Sequence, residues 1–319
     1  MTIMDLKNKR IIIELDKNAR QSYSQIAKNV KLSKQVVNSR IHKLEKSIID
    51  GYYPIINFHL LGYSLYLVYL KVINMPKDKE KEFINNVTNT KGVGVNTTVF
   101  GDWNFNLALW SKNTIEFEKS LNNVVKDFEQ YITKKTIMIE SEAYYFKFKL
   151  FPEIKNNAKT IVTKLSSSII EIDEIDKSIL LKLSYNARAN ITEIAKDLNL
   201  TSTAVAKRIR KLKEKDIILA YKPQLNLNSL HVKVFLHLQK VPKKKRMEII
   251  TYFSIIPEVL SVSKTFGDYE LEFRAAVENI LDLHTIIEDF KNKYYEEFID
   301  FNLMIFVKFH KVLNFFPFL

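Results

Sequence analysis

Asn18-Ala19-Arg20-Gln21-Ser22-Tyr23-Ser24-Gln25-Ile26-Ala27-Lys28 is answered 168 residues later by Asn186-Ala187-Arg188-Ala189-Asn190-Ile191-Thr192-Glu193-Ile194-Ala195-Lys196. The same offset relates Leu32 to Leu200, Val37 to Val205, and Arg40-Ile41-His42-Lys43-Leu44 to Arg208-Ile209-Arg210-Lys211-Leu212. Farther on, Phe100-Gly101-Asp102-Trp103 returns as Phe266-Gly267-Asp268-Tyr269 at an offset of 166, and Phe151-Pro152 as Phe316-Pro317 at 165. A period this long is not that of a solenoid. It marks a two-part module followed by its own copy.

Within the quoted stretch, the helical spacing of Ile12 and Leu15, mirrored by Leu180 and Leu183, predicts a first amphipathic helix over 5–16. Ser22 with Gln25, and Asn190 with Glu193, have the spacing of a capping box and predict a second helix start. After a short turn, Ser33 and Thr201 are placed to cap a third helix. Val37, Ile41 and Leu44, with Val205, Ile209 and Leu212 in the copy, give that helix its buried face. Its other face offers Ser33, Lys34, Gln35, Asn38, Ser39, Arg40, His42 and Lys43 in one copy. The other copy offers Ser202, Thr203, Ala206, Lys207, Arg208, Arg210 and Lys211. Short polar groups and cations on an exposed helix suit base edges and phosphates in a major groove, although such a face also occurs as plain solvated surface. Ile48–Ile56 and Ile217–Leu225 read as two short strands around a turn, a wing. Residues 1–60 carry eleven Lys/Arg against five Asp/Glu, and residues 171–228 eleven against eight, so the first head is expected to bind phosphates more strongly.

The second part of each module predicts βαββαβ, a ferredoxin-like plan. Strands are expected at Tyr63–Val72, Val93–Phe100, Asn104–Trp110 and within 135–150, with helices over 77–89 and 113–129. The copy follows with Val232–Val241, 243–254, Val259–Phe266, Glu270–Ala275, 277–292 and Phe298–His310. Gly101-Asp102-Trp103 signals a hairpin. The dense aromatics, among them Tyr144, Tyr145, Phe146, Phe148, Phe151, Phe306 and Phe309, read as core or sheet-to-sheet contact. Residues 154–170 read as a solvated linker in which Ile161-Val162 could extend a neighbouring element.

Bulk properties narrow the class. The 319 residues are 46% hydrophobic and 27% charged, as in globular domains, and carry a formal charge of +13, which favours a polyanionic partner. Absence of cysteine excludes disulfides, thiolate metal sites and cysteine nucleophiles. Neither glycine-rich phosphate-loop string occurs. With no apolar run of membrane-spanning length and no signal-peptide core at Met1–Lys7, a cytoplasmic protein is expected. No metal, cofactor or catalytic constellation is indicated, which points away from an enzyme. The apolar end Phe315-Phe316-Pro317-Phe318-Leu319 could pack at home or against a second chain.

Taken together, Asn-Ala-Arg, Ile-Ala-Lys, Leu-Ser/Thr, Val-x-x-Arg-Ile-x-x-Leu and the Phe-Gly-Asp-aromatic hairpin make both halves resemble the Lrp/AsnC (feast/famine) family of transcription regulators. The resemblance implies an α+β chain with two copies of a winged helix-turn-helix followed by a ferredoxin-like, RAM-type domain. The expected boundaries are 1–60, 61–153, a linker at 154–170, 171–228 and 229–319. It implies double-stranded DNA as partner and two subunits' worth of module in one polypeptide, with further self-association through the RAM-type domains. It also implies a small effector, such as an amino acid, near Gly101, Asp102, Asn104, Gly267, Asp268 and Glu270. The family's second acidic residue falls at Asn104 in one copy and Glu270 in the other, so one half departs from the pattern. The alternative reading is that these glycines and aspartates only shape turns. Siroheme decarboxylases resemble the same architecture but carry histidines at the hairpin, whereas the histidines here stand at 42, 59, 231, 237, 284 and 310. A sensor that has lost DNA binding is a third reading, with the second head, which holds Ala204-Val205-Ala206, the readier to have drifted.

Overall fold

A computed structural model describes residues 4–227 and 229–313; the apolar end and the Phe316-Pro317 repeat lie outside the described residues. The first copy runs α1 (Leu6–Lys17), α2 (Tyr23–Val30), α3 (Lys34–Glu45), β1 (Ile49–Ile56), β2 (Ser64–Val72), α4 (Lys77–Asn89), β3 (Val93–Gly101), β4 (Phe105–Ser111), α5 (Thr114–Val125) and β5 (Ile132–Tyr145). After β6 (Ile161–Lys164), the second copy runs α6 (Glu174–Tyr185), α7 (Ile191–Asp197), α8 (Ser202–Glu214), β7 (Ile218–Leu225), β8 (Leu230–Leu238), α9 (Lys243–Ile255), β9 (Val259–Phe266), β10 (Leu271–Val277), α10 (Ile280–Lys293) and β11 (Phe298–Val312). The α+β class and the two copies of a helical head followed by βαββαβ stand.

The chain forms two compact units. The first holds the heads, up to Asn57 and over Glu171–Ser229, together with Phe146–Ile161. Each head packs three helices around a core of Ile12, Leu15, Ile26, Val37, Ile41 and Leu44, or Leu180, Leu183, Ile194, Val205, Ile209 and Leu212, all buried. The expected wing does not form. Each stretch is a single strand, and β1 pairs antiparallel with β7, from Ile49 opposite Leu225 to Ile56 opposite Ile218. Period-two patterning fits a hairpin and a long-range ladder equally well, and here the partner is the other copy.

The linker is not uniformly solvated. Asp16 is buried and accepts from Lys222 Nζ at 2.7 Å, Asn156 Nδ2 at 2.8 Å and the Phe148 amide at 3.1 Å. The strand expected within 135–150 therefore stops short: β5 ends at Tyr145, and Phe151 is buried.

The second unit holds Phe58–Tyr145, Val162–Ile170 and the chain from Leu230 onward. Its strands follow the order β5-β2-β4-β3 in one copy and β11-β8-β10-β9 in the other. The copies join at both ends, β3 to β11 and β9 to β5, so eight strands close on themselves and β6 lies beside β5. Closure covers the edges of β3 and β9 that a lone four-stranded sheet would expose. One face of β2 (Tyr66, Val68, Leu70) packs with Phe83 and Val87 of α4 and with Leu121 and Val124 of α5. Residues of the opposite face, Leu65, Leu67 and Tyr69, are buried as well. There Trp103 and Phe235 lie 4.9 Å apart, and Tyr69 and Phe235 5.1 Å apart. Of the aromatics expected in the core, Tyr144, Phe146 and Phe151 are buried. Phe306 stacks on Phe309 at 5.3 Å, but Phe309 remains exposed.

A charged cluster shares this interior. Lys233 Nζ donates to Glu272 Oε1 at 2.6 Å and to Tyr69 Oη at 3.0 Å. Ser263 Oγ donates to Glu140 Oε2 at 2.8 Å, while Glu140 Oε1 has no partner among the described residues. Burial, with Glu272 nearby, pushes the Glu140 carboxyl up to about 7 despite the Ser263 hydrogen bond.

Candidate nucleic-acid interface

The third helices are built alike in the two heads. Ser33 Oγ accepts from the Val36 amide at 3.3 Å, and Thr201 Oγ1 from the Ala204 amide at 3.2 Å, satisfying amides that a helix start leaves free. The turn before each takes one left-handed residue, Lys31 (φ 55°) or Asn199 (φ 53°). The second helices are capped by Ser22 and Asn190, but by half of the expected box: Asn190 serves Thr192 rather than Glu193, and Gln25 turns its side chain to Asn29.

Most of the residues singled out from the sequence lie open on these helices. Ser33, Lys34, Gln35, Ser39, His42 and Lys43 are exposed, as are Ser202, Thr203, Ala206, Lys207, Arg210 and Lys211; Asn38 is half-buried. Lys34, Lys43, Lys207 and Lys211 take part in no ion pair among the described residues. His42 Nδ1 lies 3.0 Å from Glu45, which also accepts from Tyr52 Oη at 2.8 Å. Arg210 lies 3.5 Å from Glu214, one turn along.

Arg40 and Arg208 are different. Arg40 Nη1 donates to Asp5 at 2.6 Å and to Asn8 at 2.8 Å, and Arg208 Nη1 to Asp173 at 2.7 Å and Asp176 at 2.9 Å. The Arg40 guanidinium holds the Asp5 carboxyl below its usual range, while Asp173 is lowered first by the Asp176 amide and then by Arg208. Both arginines tie the third helix to the start of the first, so they frame the helix as well as standing among the candidate DNA contacts.

The repeated Asn-Ala-Arg motif also has a structural purpose that its spacing did not show. Arg20 Nη1 donates to the carbonyl oxygens of Ala187 and, at 3.1 Å, Ala189. Arg188 Nη1 donates to those of Ala19 and, at 3.2 Å, Gln21. The Ala19 amide donates to the Tyr221 carbonyl at 2.9 Å and the Ala187 amide to that of Tyr52 at 2.8 Å. Arg188 also lies over the rings of Tyr23 and Tyr52, and Arg20 over Tyr221. The heads are thus fastened reciprocally. Val36, 40% exposed beside Lys34 and Gln35, is an apolar surface residue that polar patterning does not single out.

In the second unit, Gly101 (φ 131°) and Gly267 (φ 136°) need positive φ. A Cβ on Gly101 would stand 2.3 Å from the Leu303 carbonyl oxygen. Gly101 and Asp102 line a cavity of about 270 Å³ with Phe100, Phe301, Asn302, Leu303 and Ile305, and Asn302 Nδ2 donates to Asp102. Asn104 accepts from the Val72 amide at 2.7 Å, and Glu270 is held by Arg246, so those two candidates are engaged within the fold. Asp268 is exposed. His231 is held neutral by burial, down to about 4, and His237 packs on Tyr269 at 4.5 Å. Among the described residues, no group of three or more His, Cys, Asp or Glu is placed to hold a metal, and no helix is long and apolar enough to cross a membrane.

The profile of the AsnC-type helix-turn-helix domain matches residues 4–45 and again 172–213. The chain is 32% identical over 121 residues to the HTH-type transcriptional regulator LysM of Saccharolobus solfataricus, spanning 38% of this chain and 84% of LysM. It is 28% identical over 120 residues to regulator FL11 of Pyrococcus horikoshii, spanning 37% of this chain and 80% of FL11. Across the whole length, the fold is similar to that of the siroheme decarboxylase NirDL, solved with an iron-uroporphyrin III analogue, at a TM-score of 0.63 and 16% identity over 96% of this chain and 93% of that one. The chain belongs to the Lrp/AsnC family of helix-turn-helix proteins, with the AsnC-type domain present twice.

Proposed function

We propose that the chain is a cytoplasmic, sequence-specific transcriptional regulator that binds double-stranded DNA as the single-polypeptide counterpart of a two-subunit regulator. In this reading, residues 1–60 and 171–228 are the DNA-binding domains, and 61–153 and 229–319 the sheet domains through which copies self-associate. The observation that carries it is the pair of open, cation-bearing third helices on two heads fastened by Arg20, Arg188 and the β1–β7 ladder. Family membership supports it. Because α3 presents Lys34-Gln35-Val36 where α8 presents Ser202-Thr203-Ala204, the half-sites differ in sequence. Val36 offers an apolar contact for a thymine methyl. The Gly101-Asp102 cavity would take a small polar effector such as an amino acid, held against Asp102 and Asn302.

Retardation of duplex DNA over a salt series tests the reading. Affinity should fall steeply with salt, and each of Lys34→Glu, Lys43→Glu, Lys207→Glu and Lys211→Glu should weaken binding and reduce the salt slope by about 1. Retention of full affinity in the quadruple variant would defeat it.

The whole-length likeness to NirDL favours a second reading, chemistry on a tetrapyrrole. Against it, the hairpins Phe100–Asn104 and Phe266–Glu270 contain no histidine. Added iron-uroporphyrin should leave its absorbance spectrum unchanged; a bound, shifted spectrum would support the enzyme.

A further inference from the structure

Helices α4 and α9 hold equivalent places in the two copies, yet their exposed faces have opposite chemistry. The opening of α4 alternates Lys77, Lys79 and Lys81 with Asp78, Glu80 and Glu82, whereas α9 opens Lys243-Lys244-Lys245-Arg246. At the 166-residue offset, Lys81, Asn86 and Asn89 become Met247, Tyr252 and Ile255. Met247 is 40% exposed and Ile255 70% exposed. Together with Tyr252 they floor an open groove of about 960 Å³, rimmed by Lys243 and Lys244 and, from α10, by Lys293. The Lys293 ammonium stands 4.7 Å from the centre of the Tyr252 ring.

The basic cluster is only partly neutralised. Lys245 reaches Glu297 at 3.2 Å and Glu248 at 3.5 Å, and Arg246 is held by Glu270. Lys243 and Lys244 take part in no ion pair among the described residues and are exposed.

We infer that this groove docks an acidic, amphipathic peptide segment of a partner protein. Cations flanking an aliphatic floor match a segment whose carboxylates reach Lys243, Lys244 and Lys293 while an apolar side chain covers Met247 and Ile255. The Glu248 carboxylate inside the groove opposes a continuous run of phosphates, which disfavours a nucleic-acid strand or an anionic lipid surface. An interrupted pattern of acidic and apolar residues can leave that position empty. The first copy, with balanced charge and asparagines, lacks both halves of the match.

The probe is a fluorescein-labelled synthetic peptide with glutamates and leucines on opposite helix faces, titrated by anisotropy against the full chain at low salt. Saturable binding is expected. It should weaken by roughly tenfold or more in Lys243→Glu/Lys244→Glu and in Ile255→Asp, and stay unchanged in Lys77→Glu/Lys79→Glu. No saturable binding, equal binding of a peptide with lysines replacing the glutamates, or indifference to the α9 variants overturns the inference. So does displacement of the peptide by phosphatidylglycerol vesicles or single-stranded DNA with the same variant dependence, which would reassign the groove. Charge reversal on α3 or α8 should leave peptide binding intact, so a failed DNA reading and a failed groove are told apart.

Discussion

The two heads share a frame and differ in what they present. Arg40 and Arg208 make the same contacts to the start of their own first helix, and Arg20 and Arg188 exchange equivalent carbonyls across the heads. On that frame, Lys34, Gln35, Asn38, Ser39 and His42 give way to Ser202, Thr203, Ala206, Lys207 and Arg210. The duplication has kept Arg20, Arg40 and their counterparts while changing most of the polar residues on the open face of the third helix, Lys43 and Lys211 excepted. A regulator of two identical subunits cannot do this, because any change in one reading helix is repeated in the other.

The largest break in the symmetry is internal. Asp16 and Lys222 form a buried ion pair between the heads, whereas the corresponding positions hold Ser184 and Tyr53. Asp16→Ala strands a buried ammonium and should cost about 3–5 kcal/mol in urea unfolding. Ser184→Ala, which removes only a hydroxyl bonded to the Leu180 carbonyl, should cost about 1 kcal/mol. Equal costs would show that the node is not the asymmetric clamp described.

Glu140 gives the next effect. Its folded pKa is raised from the ordinary 4.5 to about 7, so the stability it confers is fully present below 4.5 and is lost as pH rises through 7. The loss should be on the order of 3 kcal/mol. Glu140→Gln should flatten that profile and be more stable than the parent at pH 8. A parent profile that is flat between pH 4.5 and 8 would remove the argument.

Arg20→Ala and Arg188→Ala sharpen the comparison from its symmetric side, each costing about 1.5–3 kcal/mol, because each leaves paired carbonyls without their charged donor. Markedly unequal values would show that one clasp dominates. Arg40→Ala and Arg208→Ala remove partly exposed pairs and should each cost no more than about 1 kcal/mol. A much larger loss of DNA affinity than of stability would return these two arginines to the phosphate contacts.

What the sequence made legible was local. Ser33 and Thr201 cap as their positions suggested, the Gly101 hairpin stands, and the βαββαβ order follows from periodicity and spacing. What it hid was long-range. Ile49 faces Leu225, Arg20 reaches Ala187 and Asp16 gathers Phe148, Asn156 and Lys222, all partners beyond any local window. A repeated arginine reads as a repeated ligand contact until the structure shows that repetition can equally serve a clasp. For the same reason the strand expected within 135–150 ends early: the Phe148 amide is taken by the buried Asp16 carboxylate, 132 residues away in sequence.

The central claim is that one polypeptide reads two unlike half-sites. Selection of bound duplexes from a random-sequence pool by the full chain tests it most directly. Two half-sites of different sequence at one fixed spacing are expected. Ser202→Lys, Thr203→Gln, Ala204→Val, Ala206→Asn, Lys207→Ser and Arg210→His together should convert the selected site to an inverted repeat. A palindromic site from the unaltered chain, or no enrichment at all, would contradict the account.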